Sequence, residues 1–292
     1  MDKLSFALIV PTLNPGPKWE SWLAAFDQQK AKPSLGLVVD SSSEDGQLGH
    51  FNRRGFELVV IPRESFNHGA TRQYAFERVR DRVNVVVFMT QDAVLADDGA
   101  LERLLNAFRD PAVAAAYGRQ LPHPDANPFG THARRFNYGP VPMVKRLADL
   151  DRLGLKTCFF SNSFGAYRCD ALGAIGGFST TDFGEDMLAV ARLLIDGRHV
   201  AYVAEACVHH SHDYSIRDEF WRYYSTGQFH KVHPWLLEAF GGATGEGVRF
   251  VLSEARYLVE KAPHLLPAMG IRTLAKYLGY RLGKDCEFFK RP

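Results

Sequence analysis

No stretch of about 18 uninterrupted apolar residues occurs anywhere in the chain, so no membrane-spanning helix is expected. The first residues lack a charged segment followed by an apolar run and a cleavage site, which argues against a secretory leader. Cysteine is scarce. Cys158, Cys169, Cys207 and Cys286 form no CxxC pair and no regular spacing, so they read as reduced structural thiols of a cytosolic protein. Excess charge is lacking too: a formal net charge of +2 over 292 residues gives no electrostatic footprint for nucleic acid. Internal repeats and low-complexity tracts are absent. What is present is a globular composition, 46% hydrophobic and 23% charged, sufficient for a sizeable core.

The apolar residues fall into short runs. Leu4–Pro11, Leu35–Val39, Phe56–Ile61 and Val85–Phe88 read as strands, the last buried on both faces as central parallel strands are. Helical spacing occupies Trp19–Gln29, with Trp22, Leu23 and Phe26 on one side, and about Ala70–Val79. Strand and helix alternating, with polar loops after the strands, predicts an α/β fold with a mostly parallel central sheet flanked by helices. Ligands of such sheets bind beyond the carboxyl ends of the strands. The loops Thr12–Gly16, Asp40–Gly46 and Thr90–Ala93 are therefore expected on one edge, with Asp92 as the acid ending a core strand. The first loop, read on through Pro17 and Lys18, lacks the Gly-rich basic pattern of a phosphate cradle.

Further along, Arg119–Pro142 loses periodicity and reads as an irregular, ligand-facing loop. Phe159–Tyr167 reads as a strand, Met187–Ile195 as a helix closed by Gly197, and His199–His210 as a last strand. Beyond Ile216 the spacing turns helical, notably over Arg249–Lys261 and Ile271–Leu282. The second segment sets Arg272, Lys276, Arg281 and Lys284 against Ile271, Leu274, Ala275, Leu278 and Leu282. Such a basic amphipathic helix either lies on an anionic membrane surface or packs on its own domain with its basic face in water. Two domains are expected: residues 1–215, and a helical extension over residues 216–292 that packs on the first or contacts membrane or acceptor.

Two clusters carry chemistry. Glu185 and Asp186 open a helix, where the dipole keeps carboxylates ionised near neutral pH; they are either simple caps or a general base for a sugar hydroxyl. His209, His210 and His212 end a strand, with His210 and His212 on one side. Nothing closes a four-ligand zinc site. One histidine with Asp92 and a diphosphate fits Mg²⁺ or Mn²⁺, which share their shells with phosphates and water.

Val10-Pro11-Thr12-Leu13-Asn14, the segment Val38–Asp45, Asp92, Gly184-Glu185-Asp186 and the late histidine together resemble the family 2 inverting glycosyltransferases of the GT-A fold, over residues 4–215. Within that family, Phe66–Arg72, Thr90–Ala93 and Gly118-Arg119-Gln120 with Arg135–Tyr138 resemble bacterial rhamnosyltransferases of surface-polysaccharide assembly. The resemblance implies that Pro11, Thr12 and Asn14 line the nucleotide and that Asp40 reads its base. It implies that Asn67, Gly69 and Arg72 approach the diphosphate and sugar, with Thr90 and Gln91 beside them. Asp92 and His210 would hold the divalent ion. Asp186 would be the base, with Glu185 orienting the acceptor, and Arg135, Tyr138, His212 and Trp221 would lie on the acceptor side. The donor implied is dTDP-L-rhamnose and the acceptor a glycan or lipid-linked glycan at the inner face of the cytoplasmic membrane. Thr90 stands where the family's DxD motif has its first acid, so metal binding is expected to lean on the diphosphate. The alternatives are a UDP- or GDP-sugar donor, a sugar nucleotidyltransferase, and a non-catalytic glycan-binding module.

Overall fold

The computed structural model describes residues 4–16, 19–242 and 244–286; Pro17 and Lys18 of the first loop lie outside the described residues. The chain divides into two compact units. One comprises residues 1–120, 139–149 and 157–210, the other residues 121–138, 150–156 and 211–292. The division is thus not a single cut near residue 215: two earlier segments belong with the C-terminal helices.

The first unit is built on a nine-stranded sheet among the described residues. The strands are β1 (Phe6–Thr12), β2 (Leu35–Asp40), β3 (Phe56–Val60), β4 (Val85–Met89), β5 (Val94–Leu95), β6 (Val113–Leu121), β7 (Met143–Lys145), β8 (Phe164–Arg168) and β9 (His199–His209). Their order is β3-β2-β1-β4-β8-β6-β9-β5, with β7 beside β9. The half β3-β2-β1-β4 is parallel, with Val10 beside Val38 and Leu8 beside Val87. From β4 onward the recorded pairings run antiparallel, β4 with β8, β8 with β6, and β9 with β5 and β7. Every residue of β2 and β4 is buried, which only near-continuous apolar runs can satisfy.

Among the described residues there are twelve α-helices, in chain order α1 (Trp19–Asp27), α2 (Gly49–Asn52), α3 (His68–Val79), α4 (Ala100–Asn106), α5 (Pro128–Asn137), α6 (Leu150–Leu153), α7 (Cys169–Ala174), α8 (Glu185–Ile195), α9 (Ile216–Val232), α10 (Pro234–Phe240), α11 (Thr244–Lys261) and α12 (Leu266–Asp285). On α1, Trp19, Trp22 and Phe26 stack on one another and on Phe51 and Phe56, filling one side of the parallel half. The strand expected over Phe159–Tyr167 begins only at Phe164; the residues before it form the turn that carries Asn162.

The second unit is helical. The irregular loop expected over Arg119–Pro142 begins with the end of β6 and contains α5 over Pro128–Asn137. Asn127 caps it, accepting from Gly130 N at 2.9 Å, and Pro128 occupies the first turn, where its missing N–H costs nothing. Helices α9 and α12 pack backbone to backbone: a Cβ on Gly227 would meet Tyr280 O at 2.3 Å, and one on Gly283 would meet Tyr224 O at 2.1 Å. This contact sets which way α12 faces, and it splits the four basic residues: Arg281 and Lys284 are exposed, as the second expected orientation has them, whereas Arg272 and Lys276 are turned inward. Arg272, Lys276, Gly279 and Gly283 share the inward stripe, and both cations pair with the buried Glu219 at 3.1 and 3.4 Å. Ile271, Leu274, Tyr277, Leu278 and Leu282 are exposed as well.

Candidate active site

The order of strands reverses between β1 and β4, and loops leave both at that point, the position where α/β sheets open a crevice. The two loops are locked together. Gln91 Oε1 accepts from Leu13 N at 2.7 Å, and Gln91 Nε2 donates to Leu13 O at 3.0 Å. The loop after β2 is braced by Asp40, which is fully buried. One of its oxygens accepts from the hydroxyls of Thr12 and Ser43, the other from Ser43 N. Asn14 and Ser42 take left-handed backbone conformations at φ 43° and 59°, and Asn14 is held there by Ser43 and Glu44. Thr12, Asn14 and Asp40 are therefore one hydrogen-bonded unit, with Pro11 partly buried at its base. Thr90 turns the chain after β4, its carbonyl accepting from Ala93 N at 3.2 Å.

On the far side of β1, α3 holds the approach to the acidic pair. Asn67 caps α3 through Ala70 N and also accepts from Thr181 N and donates to Asp182. Gly69 lies so close to the 179–181 segment that a Cβ would sit 1.8 Å from Ser179 O. Gln73 accepts from Phe178 N at 2.7 Å. Gly184, at φ 73°, turns the chain into α8. Asn67 and Gly69 thus shape the loop that delivers Glu185 and Asp186.

The two acids have different environments. Glu185 is buried; burial alone would raise its pKa, but Arg72 at 3.2 Å, Asn162 Nδ2 at 2.9 Å and His68 outweigh it and hold the carboxyl below its ordinary value. Arg72, expected to reach phosphate, is itself buried and turned to Glu185 and to the carbonyl of His68. Asp186, part of whose side chain still reaches solvent, is pushed up to about 7, first by burial and then by the Glu185 charge. Its bonds from Asn162 N and Met187 N at 3.2 and 2.7 Å oppose that rise without cancelling it. The helix dipole was expected to keep both acids ionised; it does not for Asp186, because crowding by Glu185 and burial are the larger effects. One carboxylate stays charged while its neighbour exchanges a proton near neutrality, the pattern that separates acid and base roles.

Asn162 joins the two, donating to both carboxylates while its own oxygen accepts from Tyr167 Oη at 2.8 Å. Burial, then Arg72, holds His68 below its ordinary pKa, against the opposing pull of Glu185 and Asp182. Asn162 and His68 were given no role from sequence: Asn162 falls in a segment read as a strand, and His68 was read only as part of the Phe66–Arg72 motif.

Asp92 and His210 come together from β4 and the end of β9, Oδ2 to Nε2 at 3.4 Å. Asp92 is 42% exposed while His210 is buried. Nδ1 of His210 lies 2.9 Å from Gln120 Oε1, and Gln120 Nε2 donates to Ser161. An acceptor on Nδ1 fixes the tautomer that turns the Nε2 lone pair toward Asp92, the usual support of a metal-ligating histidine. The oxygen and imidazole donors suit Mn²⁺ or Mg²⁺ with open positions for phosphate oxygens.

Residues expected on the acceptor side lie in the second unit. Tyr138, at the end of α5, is only 3% exposed and is a packing residue, which removes it from any ligand surface. Arg135 is exposed and stacks 5.7 Å from Tyr257. Trp221 packs on Phe220 and Tyr224. His212 lies 5.1 Å from Tyr214.

The sheet, parallel from β3 to β4 and antiparallel beyond, with helices flanking it, is an α/β fold of the GT-A class. Residues 8–176 match the family described as Glycosyl transferase family 2, and the chain belongs to that family; it is a glycosyltransferase. It is 48% identical to the O-antigen chain rhamnosyltransferase WbaN of Salmonella anatum over 97% of this chain and 90% of that one. It is 46% identical to RfbN of Salmonella typhimurium, also named an O-antigen chain rhamnosyltransferase, over 97% and 91%. Among solved structures, the fold is similar to the mannosyltransferase PcManGT of Pyrobaculum calidifontis in complex with GDP-Man and Mn²⁺. That likeness has a TM-score of 0.62 at 16% identity, covering 97% of this chain and 89% of that one. S. aureus TarS 1–349 in complex with UDP-GlcNAc gives 0.56 at 14%, covering 97% and 91%.

Proposed function

We propose that the protein transfers L-rhamnose from dTDP-L-rhamnose to a growing glycan in O-antigen synthesis, with inversion at the anomeric carbon. The sugar and the polymer are supported by the two Salmonella relatives, nearly half identical along almost the whole chain. Family membership sets aside the nucleotidyltransferase and the glycan-binding module. The observation that carries the mechanism is the unequal pair Glu185–Asp186.

In this reading the nucleotide lies over Pro11, Thr12 and Asn14. Asp40 acts through its brace on their loop, and Gln91 and Thr90 keep that loop beside Asp92. Asp92 and His210 would hold Mn²⁺ or Mg²⁺, which would supply positive charge toward the departing diphosphate. Asp186 accepts the proton of the acceptor hydroxyl as its oxygen bonds to the anomeric carbon and the bond to dTDP breaks on the opposite face. A β-linked donor then yields an α-L-rhamnoside. Arg72 and Asn162 keep Glu185 ionised, and the Glu185 charge keeps Asp186 basic enough to take that proton. Exposed apolar residues on α12 support work at a membrane surface, and among the described residues no helix is long and apolar enough to cross one.

The donor is tested by thermal shift with Mn²⁺ present. Stabilisation by dTDP-rhamnose, and none of similar size by UDP- or GDP-sugars, is expected. Equal stabilisation by GDP-mannose or UDP-sugars would overturn the donor assignment.

A further inference from the structure

The second unit contains a cavity of about 150 Å³ that the mechanism above does not use. It is smaller than the ~300–1,000 Å³ of pockets that enclose a whole small molecule, so it suits one compact group rather than a nucleotide sugar. Its lining carries four cations, Arg134, Arg222, Arg272 and Lys276, against one carboxylate, Glu219.

These cations are fixed in place. Arg272 stacks 4.3 Å from the Phe129 ring, pairs with Glu219 Oε1 at 3.1 Å and donates to Tyr214 O at 3.0 Å. Lys276 lies 4.9 Å from the Phe250 ring and 3.4 Å from the same Glu219 oxygen. Both side chains are only 13% exposed. Arg222 donates to the Tyr214 hydroxyl at 3.1 Å and lies 5.4 Å over its ring. Holding Arg272 and Lys276 together away from water is unfavourable, and the one carboxylate oxygen they share offsets only part of it. An anion in the cavity would supply the rest. Guanidinium groups held over aromatic rings are planar forks of donors, the geometry that matches phosphate oxygens. The inward stripe of α12 is what brings Arg272 and Lys276 here, so two of the four basic residues that suggested a membrane contact line a cavity, while Arg281 and Lys284 stay exposed.

We infer that this cavity is an anion subsite that takes the phosphate or diphosphate carried by the acceptor. The inference rests on the proposed transfer for the identity of the ligand, though not for its charge. Every lining residue belongs to the second unit, so the donor-side residues of the first unit take no part in it.

Inorganic pyrophosphate is the probe, titrated calorimetrically into the full chain with excess dTDP filling the donor side. One saturable binding event is expected, weakened at least tenfold in Lys276→Gln and in Arg222→Gln and restored in Lys276→Arg. Arg222 is exposed, so its variant keeps the measurement valid if Lys276→Gln fails to fold. Asp186→Asn should bind pyrophosphate as the wild type does. Absence of saturable binding, or equal displacement by acetate, would overturn the assignment.

A second arm compares a glycan acceptor bearing a diphosphate with the same glycan lacking it. The phosphorylated acceptor should have a KM at least tenfold lower in the wild type, an advantage lost in Lys276→Gln. Equal KM values, or loss of binding to anionic lipid vesicles without loss of pyrophosphate binding, would contradict it. Failure of dTDP-rhamnose as donor while Lys276-dependent pyrophosphate binding persists would overturn the proposed transfer and leave the subsite standing.

Discussion

At the scale of single residues, the proposed chemistry depends on two adjacent carboxylates being unlike. Asp186 titrates at about 7 against an ordinary 3.8, so the native state binds its proton more tightly than the unfolded chain does. The stabilising contribution is complete below the unfolded value and disappears as pH rises through the native one. Two outcomes follow from that sign. Transfer should rise with pH through an apparent pKa near 7, because only the ionised Asp186 accepts a proton; a pH–rate profile flat between about pH 5.5 and 8.5 would contradict this. In thermal melts, Asp186→Asn should be more stable than the wild type at about pH 8 and nearly equal to it at about pH 4.

Asn162 should act on the same pair. Asn162→Ala removes a hydrogen bond to a charged carboxylate, so kcat should fall roughly tenfold or more and the rate profile should shift. A kcat loss with an unmoved profile would make Asn162 merely structural. This residue was not legible in the sequence. It is one asparagine between serines, and its role comes from partners 23 and 24 positions away. Gln120 was read only as part of a family motif; its work is on His210, 90 positions on. Asp92, Glu185 and Asp186 were legible because a strand end and a helix start mark them locally.

Among the elements, the parallel half of the sheet could be read because each strand is a compact apolar run. Strand β6, VAAAYGRQL, could not: alanine and glycine give little strand signal, and burial between β8 and β9 supplies what propensity does not. Helix α5 was missed although Asn127-Pro128 is a good start signal, because its histidine, arginines and aromatics obscure the apolar face. For α12 the periodicity was clear but the facing was not. The information lay in Gly279 and Gly283, which allow α9 to approach so closely that Arg272 and Lys276 are carried inward while Arg281 and Lys284 stay exposed. Gly283→Leu should therefore cost at least the ~1–3 kcal/mol typical of overpacking, since the obstructing atoms are backbone. Urea melts followed by tryptophan fluorescence would show it, and an unchanged midpoint would contradict the packing.

On the scale of the whole molecule, family and fold class could be read from motifs in order along the chain. The division into units could not, because residues 121–138 and 150–156 join the later helices only in three dimensions. The outward residues Ile271, Leu274, Tyr277, Leu278 and Leu282 form a stripe on a surface where a protein in water gains nothing from them. Replacing both Leu274 and Leu278 by Glu should reduce co-sedimentation with anionic vesicles several-fold while leaving donor binding unchanged. Equal sedimentation would remove the membrane reading.

The measurement that tests the central claim most directly is transfer from dTDP-β-L-rhamnose by the wild type and by Asp186→Asn, with donor affinity measured alongside and the product anomer assigned by NMR. The wild type should form an α-L-rhamnoside, and Asp186→Asn should be slower by about 10²–10⁴ while binding donor as tightly. Comparable transfer by Asp186→Asn, or a β-linked product, would contradict the account.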